Sequence, residues 1–222
     1  RPLFWSKKEG FWEGVTWSDA AVQVRKLAIV LQSYGVKKGD RVLIASENRP
    51  EWAISDLAIM SLGAIVVPAY TSNTEEDNNY LLTHSQAKLA ITSGGNVASR
   101  LCLAADSNKF IKNIILIDAE PRNFTVKGCK ILSWNEEIKK VDIDSKFEKS
   151  IEKLSDEDVC CFIYTSGTGG RPKGVMLTHK SIFSNILACS DVIKDIKIKE
   201  KVFLSLLPLS HAYEHTCGFH WP

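Results

Sequence analysis

Apolar residues along this chain fall into two kinds of run: long stretches with helical spacing, and short, nearly continuous stretches bounded by turn residues. From Trp17 to about Tyr34, Val24, Leu27, Ala28 and Leu31 repeat at i, i+3, i+4 and i+7, which builds one apolar helix face. Thr16 can cap that helix, Asp19 completes a capping-box-like pair, and Gly35 ends it. Arg41–Ser46 reads as an apolar strand. Pro50 suits the first turn of a second helix, which Gly63 closes. Ile65–Ala69 is a further strand, and Thr74 can cap a helix through about Ser85. Lys88–Ser93 and Asn113–Asp118 are strands with a helix from about Asn96 to Ala105 between them. Lys130–Trp134, Val159–Tyr164 and Lys201–Leu207 complete the strands, and Thr178 to Val192 is a last helix. Asp142–Asp158, rich in Lys, Asp, Glu and Ser, reads as a surface helix and linker. Strands that alternate with helices predict an α/β fold with a largely parallel sheet and helices on both faces. In such sheets ligands bind beyond the carboxyl ends of the strands.

Composition narrows the function. The 222 residues suffice for one sizeable core. Lys+Arg 28 against Asp+Glu 26 leaves a net charge of +2, and the charges are dispersed, so nothing favours a nucleic-acid partner. The lysines around Lys194–Lys201 are interleaved with Asp191, Asp195 and Glu200, which predicts a solvated helix end and loop over a lipid-binding surface. None of the six cysteines forms a Cys-x-x-Cys pair, and Cys160 and Cys161 sit inside an apolar strand; a reduced, cytoplasmic setting is the expectation. The apolar region Trp52–Tyr70 contains Asp56, Gly63 and Pro68, which suits a buried helix turning into a strand better than a membrane span.

Candidate chemistry concentrates in Tyr164-Thr165-Ser166-Gly167-Thr168-Gly169-Gly170-Arg171-Pro172-Lys173-Gly174. Its glycines let a phosphate oxygen approach the main chain, Thr165, Ser166 and Thr168 add hydroxyl donors, and Lys173 adds a flexible point charge. A strand before it and a helix after it would let main-chain N–H groups converge on an anion. The run is not a Walker A loop, because Pro172 and Gly174 flank the lysine, and Pro172 also breaks the dinucleotide-binding glycine pattern. A plain surface loop of small residues is the bland alternative. His84 and His179 belong to no motif, and Thr178 is the simple cap of the helix that follows.

This run resembles the signature loop of the adenylate-forming enzymes, among them acyl-CoA synthetases and luciferases, with Gly169 where a threonine is usual. Lys38-Gly39-Asp40-Arg41-Val42, Glu47-Asn48-Arg49-Pro50-Glu51-Trp52, Gly63-Ala64-Ile65-Val66-Val67-Pro68 and Val15-Thr16-Trp17 are similar to the same family. Leu207-Pro208-Leu209-Ser210-His211-Ala212-Tyr213-Glu214-His215 resembles the long-chain fatty acyl-CoA synthetase form of a later motif. The resemblance implies that the chain is the front part of the large N-terminal domain, residues 1–158 as a first α/β portion and 159–222 carrying the loop and later motif. Both ends are then expected to be cut points, with the C-terminal domain lying beyond the chain. It further implies ATP, Mg2+ and coenzyme A as substrates and cofactor of a parent enzyme that activates a fatty acid. Thr165, Ser166, Gly167, Thr168, Gly169, Gly170 and Lys173 would hold the β/γ-phosphates, and His211 would lie near the acyl and adenylate site. An acyl-AMP ligase, a carrier-protein adenylation enzyme and a non-enzymatic binding module stay open, as do peripheral membrane association and oligomeric state.

One rival rests on residues alone. His211-Ala212-Tyr213-Glu214-His215 fits H-x-x-E-H, which on a helix would turn both histidines to one face and suit the zinc of a hydrolase.

Overall fold

The caps legible in the sequence form as hydrogen bonds in the computed structural model, which describes residues 2–143, 154–165, 170–193 and 202–222. Thr16 Oγ1 accepts the Asp19 N–H at 3.1 Å while the Asp19 carboxylate accepts the Thr16 N–H, so α1 runs Trp17–Ser33. Thr74 and Asp77 make the same reciprocal pair at 2.9 and 3.2 Å. Pro50 opens α2, Pro50–Ser61, as a residue whose missing N–H has no intrahelical partner to lose. The Thr74–Asp77 pair opens α3, Glu75–Ser85, and α4 spans Gly95–Asp106. A short α5, Trp134–Lys139, begins where Ser133 accepts the Glu136 N–H, one residue before the expected end of that strand. The last helix is α6, His179–Ile193.

An antiparallel hairpin, β1 (Pro2–Lys8) and β2 (Phe11–Thr16), precedes α1 and was not anticipated. Glu9 and Gly10 connect its strands with φ of 48° and 89°, the two positive values that a two-residue primed turn needs. The main sheet holds β3 (Arg41–Ala45), β4 (Ile65–Ala69), β5 (Leu89–Thr92), β6 (Asn113–Leu116), β7 (Lys130–Ser133), β8 (Val159–Thr165) and β9 (Lys173–Thr178). Their order is β7-β6-β5-β3-β4-β8-β9. Every neighbouring pair is parallel except β8–β9. Alternate residues of β3 feed two cores. Val42 and Ile44 pack with Leu31 of α1 and Trp52 and Ile59 of α2, while Leu43 and Ala45 pack with Leu82 of α3 and Leu101 of α4. The predicted parallel α/β architecture with helices on both faces is therefore present.

Two expectations need correction. First, β9 intervenes between the glycine-rich run and α6, so that run joins two antiparallel strands. Val159 faces Thr178, Thr165 faces Lys173, and α6 starts only after β9 has run back to the level where β8 begins. Second, Val202–Leu207 pairs with no strand among the described residues. Val202, Leu204 and Leu206 stay exposed there, and Asn48 ties the segment down instead: its Nδ2 donates to Ser205 Oγ and Leu207 O, both at 2.7 Å. The described end of the anticipated surface helix and linker is a turn in which Asp158 accepts the Ser155 N–H and pairs with Lys38 at 2.6 Å. Residues 144–153 of that linker and the lysines 194–201 lie outside the described residues. No described helix is long and apolar enough to cross a membrane.

Candidate functional site

Of the seven residues expected to hold phosphate, Thr165, Gly170 and Lys173 are described; Ser166, Gly167, Thr168 and Gly169 lie outside the described residues. Thr165 ends β8 and Lys173 begins β9, directly opposite, and both are exposed. Gly170 has φ 144°, a backbone conformation closed to most side chains, and a Cβ there would meet nothing within 4 Å. The base of the loop is thus a β-hairpin mouth at the carboxyl end of a parallel-sheet strand.

The hairpin removes the helix from the phosphate argument. From Lys173 to Thr178 the strand retreats by about 17 Å at ~3.4 Å per residue. At its far end Thr178 Oγ1 caps α6 by accepting the Ser181 N–H at 3.1 Å, as the sequence suggested. The His179 and Lys180 N–H groups donate to the Asp158 and Asp156 carbonyls at 3.2 and 2.7 Å. The first amides of α6 are therefore occupied as well as distant.

Aromatic residues hold the loop's exit in place. Tyr80 on α3 donates its hydroxyl to the Pro172 carbonyl at 2.7 Å, and the Arg171 guanidinium lies over the Tyr80 ring, 5.5 Å from its centre. Tyr164 Oη stands 2.8 Å from His84 Nδ1, and the His84 ring stacks on Tyr80. The Tyr164 ring covers Gly174, where a Cβ would sit 3.2 Å from it. Burial pushes the Tyr164 phenol up to about 12. His84, which belonged to no motif, is thus part of the loop's support. The i, i+4 spacing of Tyr80 and His84 on α3 was its one sequence trace.

Asn48 joins the second motif to the first half of the chain. Its Oδ1 accepts the N–H of buried Leu209 at 2.9 Å, so the Pro208–His211 turn hangs on the strand end after β3. Next to it, Arg49 bonds Asp118 at 2.5 Å and Glu51 at 2.9 Å, and Asp118 also accepts the Gly94 N–H. A polar cleft of about 320 Å³ opens there between Glu47, Ser93, Gly95 and Asp118. A larger, mainly apolar groove of about 470 Å³ lies between α6 and the π-helical segment Glu214–His220, with Ala188, Val192, Phe203, Tyr213 and Trp221 on its walls.

His211 is exposed at the mouth of the second motif, and its Nδ1 accepts the Tyr213 N–H at 3.2 Å. No hydrogen bond or ion pair among the described residues joins it to Thr165 or Lys173. The zinc-hydrolase reading fails here: His215 is fully buried and turned to Asp56, 2.8 Å away, while His211 faces outward. The His215 N–H does close a helical turn onto the His211 carbonyl at 2.9 Å, but the side chains that gather around His215 are Asp56 and His220, while His211 Nδ1 is taken by the Tyr213 N–H.

A family model described as AMP-binding enzyme matches residues 3–222. The chain belongs to the AMP-binding enzyme family. Fatty acyl-CoA synthetase A of Dictyostelium discoideum is 33% identical over 221 residues, covering 96% of this chain and 32% of that protein. A long-chain-fatty-acid–CoA ligase of Mycobacterium tuberculosis is 32% identical over 207 residues, covering 91% and 33%. Among solved structures, a luciferase from Phrixothrix hirtus superposes with a TM-score of 0.76 at 22% identity over 94% of this chain and 39% of its own. Coronafacic acid ligase from Pectobacterium brasiliense gives 0.75 at 20% over 93% and 38%. This AMP-binding chain spans about a third of the length of the curated relatives it matches.

Proposed function

We propose that the AMP-binding chain is the phosphate-loop portion of an enzyme that activates a fatty acid with ATP and passes the acyl group to coenzyme A. The observation that carries this reading is the hairpin mouth, with Lys173 facing Thr165 across it and an open Gly170 between them. The Thr165 hydroxyl, the Gly170 backbone and the Lys173 ammonium group stand exposed at this mouth, where a triphosphate tail can enter, and Tyr80 holds the exit through Pro172 and Arg171. The fit to a polyphosphate is chemical: glycine leaves room, and Lys173 supplies positive charge that no helix end provides.

In the reaction, the carboxylate oxygen of the fatty acid attacks the α-phosphorus, that P–O bond forms, and the bond to the pyrophosphate breaks. The coenzyme A thiol, losing its proton, then attacks the acyl carbon, and AMP leaves. The chain's part is to hold the departing pyrophosphate through Thr165, Ser166, Gly167, Thr168, Gly169, Gly170 and Lys173, so that charge developing on it meets donors already in place. Bound magnesium would spread the negative charge of the same phosphates. His211, at the rim of the second motif, faces solvent where an acyl-adenylate can lie, and the apolar groove beside it falls within the roughly 300–1,000 Å³ of small-molecule sites. The names of the relatives support a long-chain fatty acid as the substrate class. A cytoplasmic enzyme, with peripheral contact to a membrane through its lipid substrate, is the setting that fits.

Lys173→Ala in the complete enzyme should slow adenylation by on the order of 10²-fold, the scale of losing one charge-stabilising donor. ATP–pyrophosphate exchange measures it, and an unchanged rate refutes the assignment. Product analysis with and without coenzyme A separates a CoA ligase from an enzyme that stops at the adenylate or uses a carrier protein.

A further inference from the structure

Below the second motif lies a cluster that phosphate binding does not use. Asp56 of α2 is wholly buried among apolar side chains, and two histidines from the end of the chain turn onto its carboxylate. His215 Nε2 stands 2.8 Å from Asp56 Oδ1 and His220 Nε2 3.2 Å from Asp56 Oδ2. The two rings meet edge to face, 4.7 Å between centres. Taking one ligand atom from each of the three residues, all fall within 4.8 Å of one another.

The local backbone explains how residues five apart reach one point. Glu214–His220 is wound as a π-helix, in which the repeat bond spans five residues, as between the Trp221 N–H and the Thr216 carbonyl at 3.0 Å. An α-helix would send residues 215 and 220 to different sides. Such winding is rare and concentrates at functional sites.

We propose that Asp56, His215 and His220 form a divalent transition-metal site, best suited to zinc. Three features support it. The donor set of one carboxylate and two imidazoles is a zinc set and a poor one for magnesium or calcium, which take oxygen ligands. The Asp56–His220 spacing of 3.2 Å lies close to the ~3.3 Å edge of a tetrahedron built with bonds of about 2.05 Å, and the Asp56–His215 contact, a hydrogen bond at 2.8 Å, would open by about 0.5 Å on metal binding. Asp56 Oδ2 and His220 Nε2 are also buried without a properly directed hydrogen bond, even to each other, which is how ligand lone pairs look when both aim at a shared centre. His179 Nε2 is a further buried nitrogen without a partner, close enough to feel the charges of Asp56 and His220 though outside the three-residue cluster, and a water would fill the remaining position. This site is distinct from the H-x-x-E-H pattern: it excludes His211 and carries no hydrolytic role. It fastens the segment after the second motif to α2, on which the apolar core is built.

The test is metal binding by the chain itself. After chelation and dialysis, the folded chain should take up one equivalent of zinc or cobalt. The cobalt form should show visible d–d absorption without the intense near-ultraviolet thiolate band. His220→Gln and Asp56→Asn should each weaken binding by at least about 100-fold, since losses in outer-shell partners alone cost 10–100-fold, while circular dichroism confirms that the variants are folded. A folded chain with no metal at micromolar zinc would show a plain hydrogen-bonded His–Asp–His cluster and overturn the proposal. Full stoichiometry in His220→Gln would overturn the ligand assignment, and a thiolate band would move it to the cysteines. Should the variants not fold, the wild-type cobalt spectrum decides alone.

Discussion

Replacing Asn48 with alanine tests how the two motifs are held together. The Asn48 side chain makes three hydrogen bonds to the 205–209 segment: it donates to Ser205 Oγ and Leu207 O and accepts from the Leu209 N–H. They are not equal in value. The donors reach an exposed serine and an exposed carbonyl, where water replaces them, so each contributes a few tenths of a kcal/mol at most. Leu209 is only 6% exposed, and losing the acceptor leaves its N–H with no partner, at about 1–3 kcal/mol. The sum is about 2 kcal/mol. With a urea dependence of about 2 kcal/mol per molar, the unfolding midpoint should fall by about 1 M. Asn48→Asp keeps the acceptor and loses both donors, so it should cost less than half as much. Hydrogen exchange at the Leu209 amide reads the same bond directly and should accelerate by on the order of 10-fold or more in Asn48→Ala. Equal losses in the two variants, or an unchanged Leu209 amide, would refute the idea that this one acceptor carries the tether.

Thr74→Ala removes the cap of α3 and should destabilise the chain by about 1 kcal/mol in thermal or urea unfolding. The same change should make the acid limb of stability shallower without abolishing it, because it removes the hydroxyl bond and keeps the larger main-chain one. Main-chain and hydroxyl hydrogen bonds from Thr74 hold the Asp77 carboxyl below its usual value, so its stabilisation is complete above the ordinary carboxylate range and fades as pH falls through the lowered value. Cys189 and Cys217, Sγ to Sγ 3.6 Å, need only a small approach to the ~2.05 Å of a disulfide. Diamide, which takes two electrons and two protons from the thiols, should cross-link this pair, with the peptide identified by mass spectrometry. Alkylation of the native chain near neutral pH should leave Cys102 and Cys160 unmodified, because burial pushes their thiols up to about 11 and about 12.

Elements announced by two independent local signals were legible in the sequence. α1 and α3 have a capping pair at one end, and α1 also has an apolar face; α2 has Pro50 and Gly63; the parallel strands are short apolar runs bounded by polar turns. What escaped had no such signature. The β1–β2 hairpin turns on Glu9-Gly10, and Trp5, Phe11 and Trp12 remain exposed, so its hydrophobic pattern points at no core. In β9, Val175, Met176 and Leu177 form an apolar run too short to distinguish a strand from the first turn of the helix that follows. Val202–Leu207 has the composition of a strand, but pairing is a property of a neighbour and not of a segment. Among site residues, the Thr, Ser, Gly and Lys of the loop were legible because their chemistry is local. Tyr80, His84 and Asn48 were not, since each acts on a part of the chain 90 or more residues away, save His84 at 80.

The missed strand β9 changes the physics of the site. A loop between a strand and a helix would bring about half a unit of positive charge from the helix end, felt only within the first turn. A loop between antiparallel strands brings none, and α6 spends its first amides on the carbonyls of Asp156 and Asp158. The positive charge described at the hairpin mouth must then come from Lys173 and Arg171, and Arg171 is already drawn over the Tyr80 ring. Lys173 thus stands without a helix dipole to share its load. A point charge alone at an exposed mouth is screened by salt, with a Debye length of about 8 Å at physiological ionic strength. On the proposed function, phosphate binding should accordingly weaken as salt rises and lose most of that salt dependence in Lys173→Met. Isothermal titration with pyrophosphate at two ionic strengths measures both, and a salt dependence that survives the substitution intact would mean that another group supplies the charge.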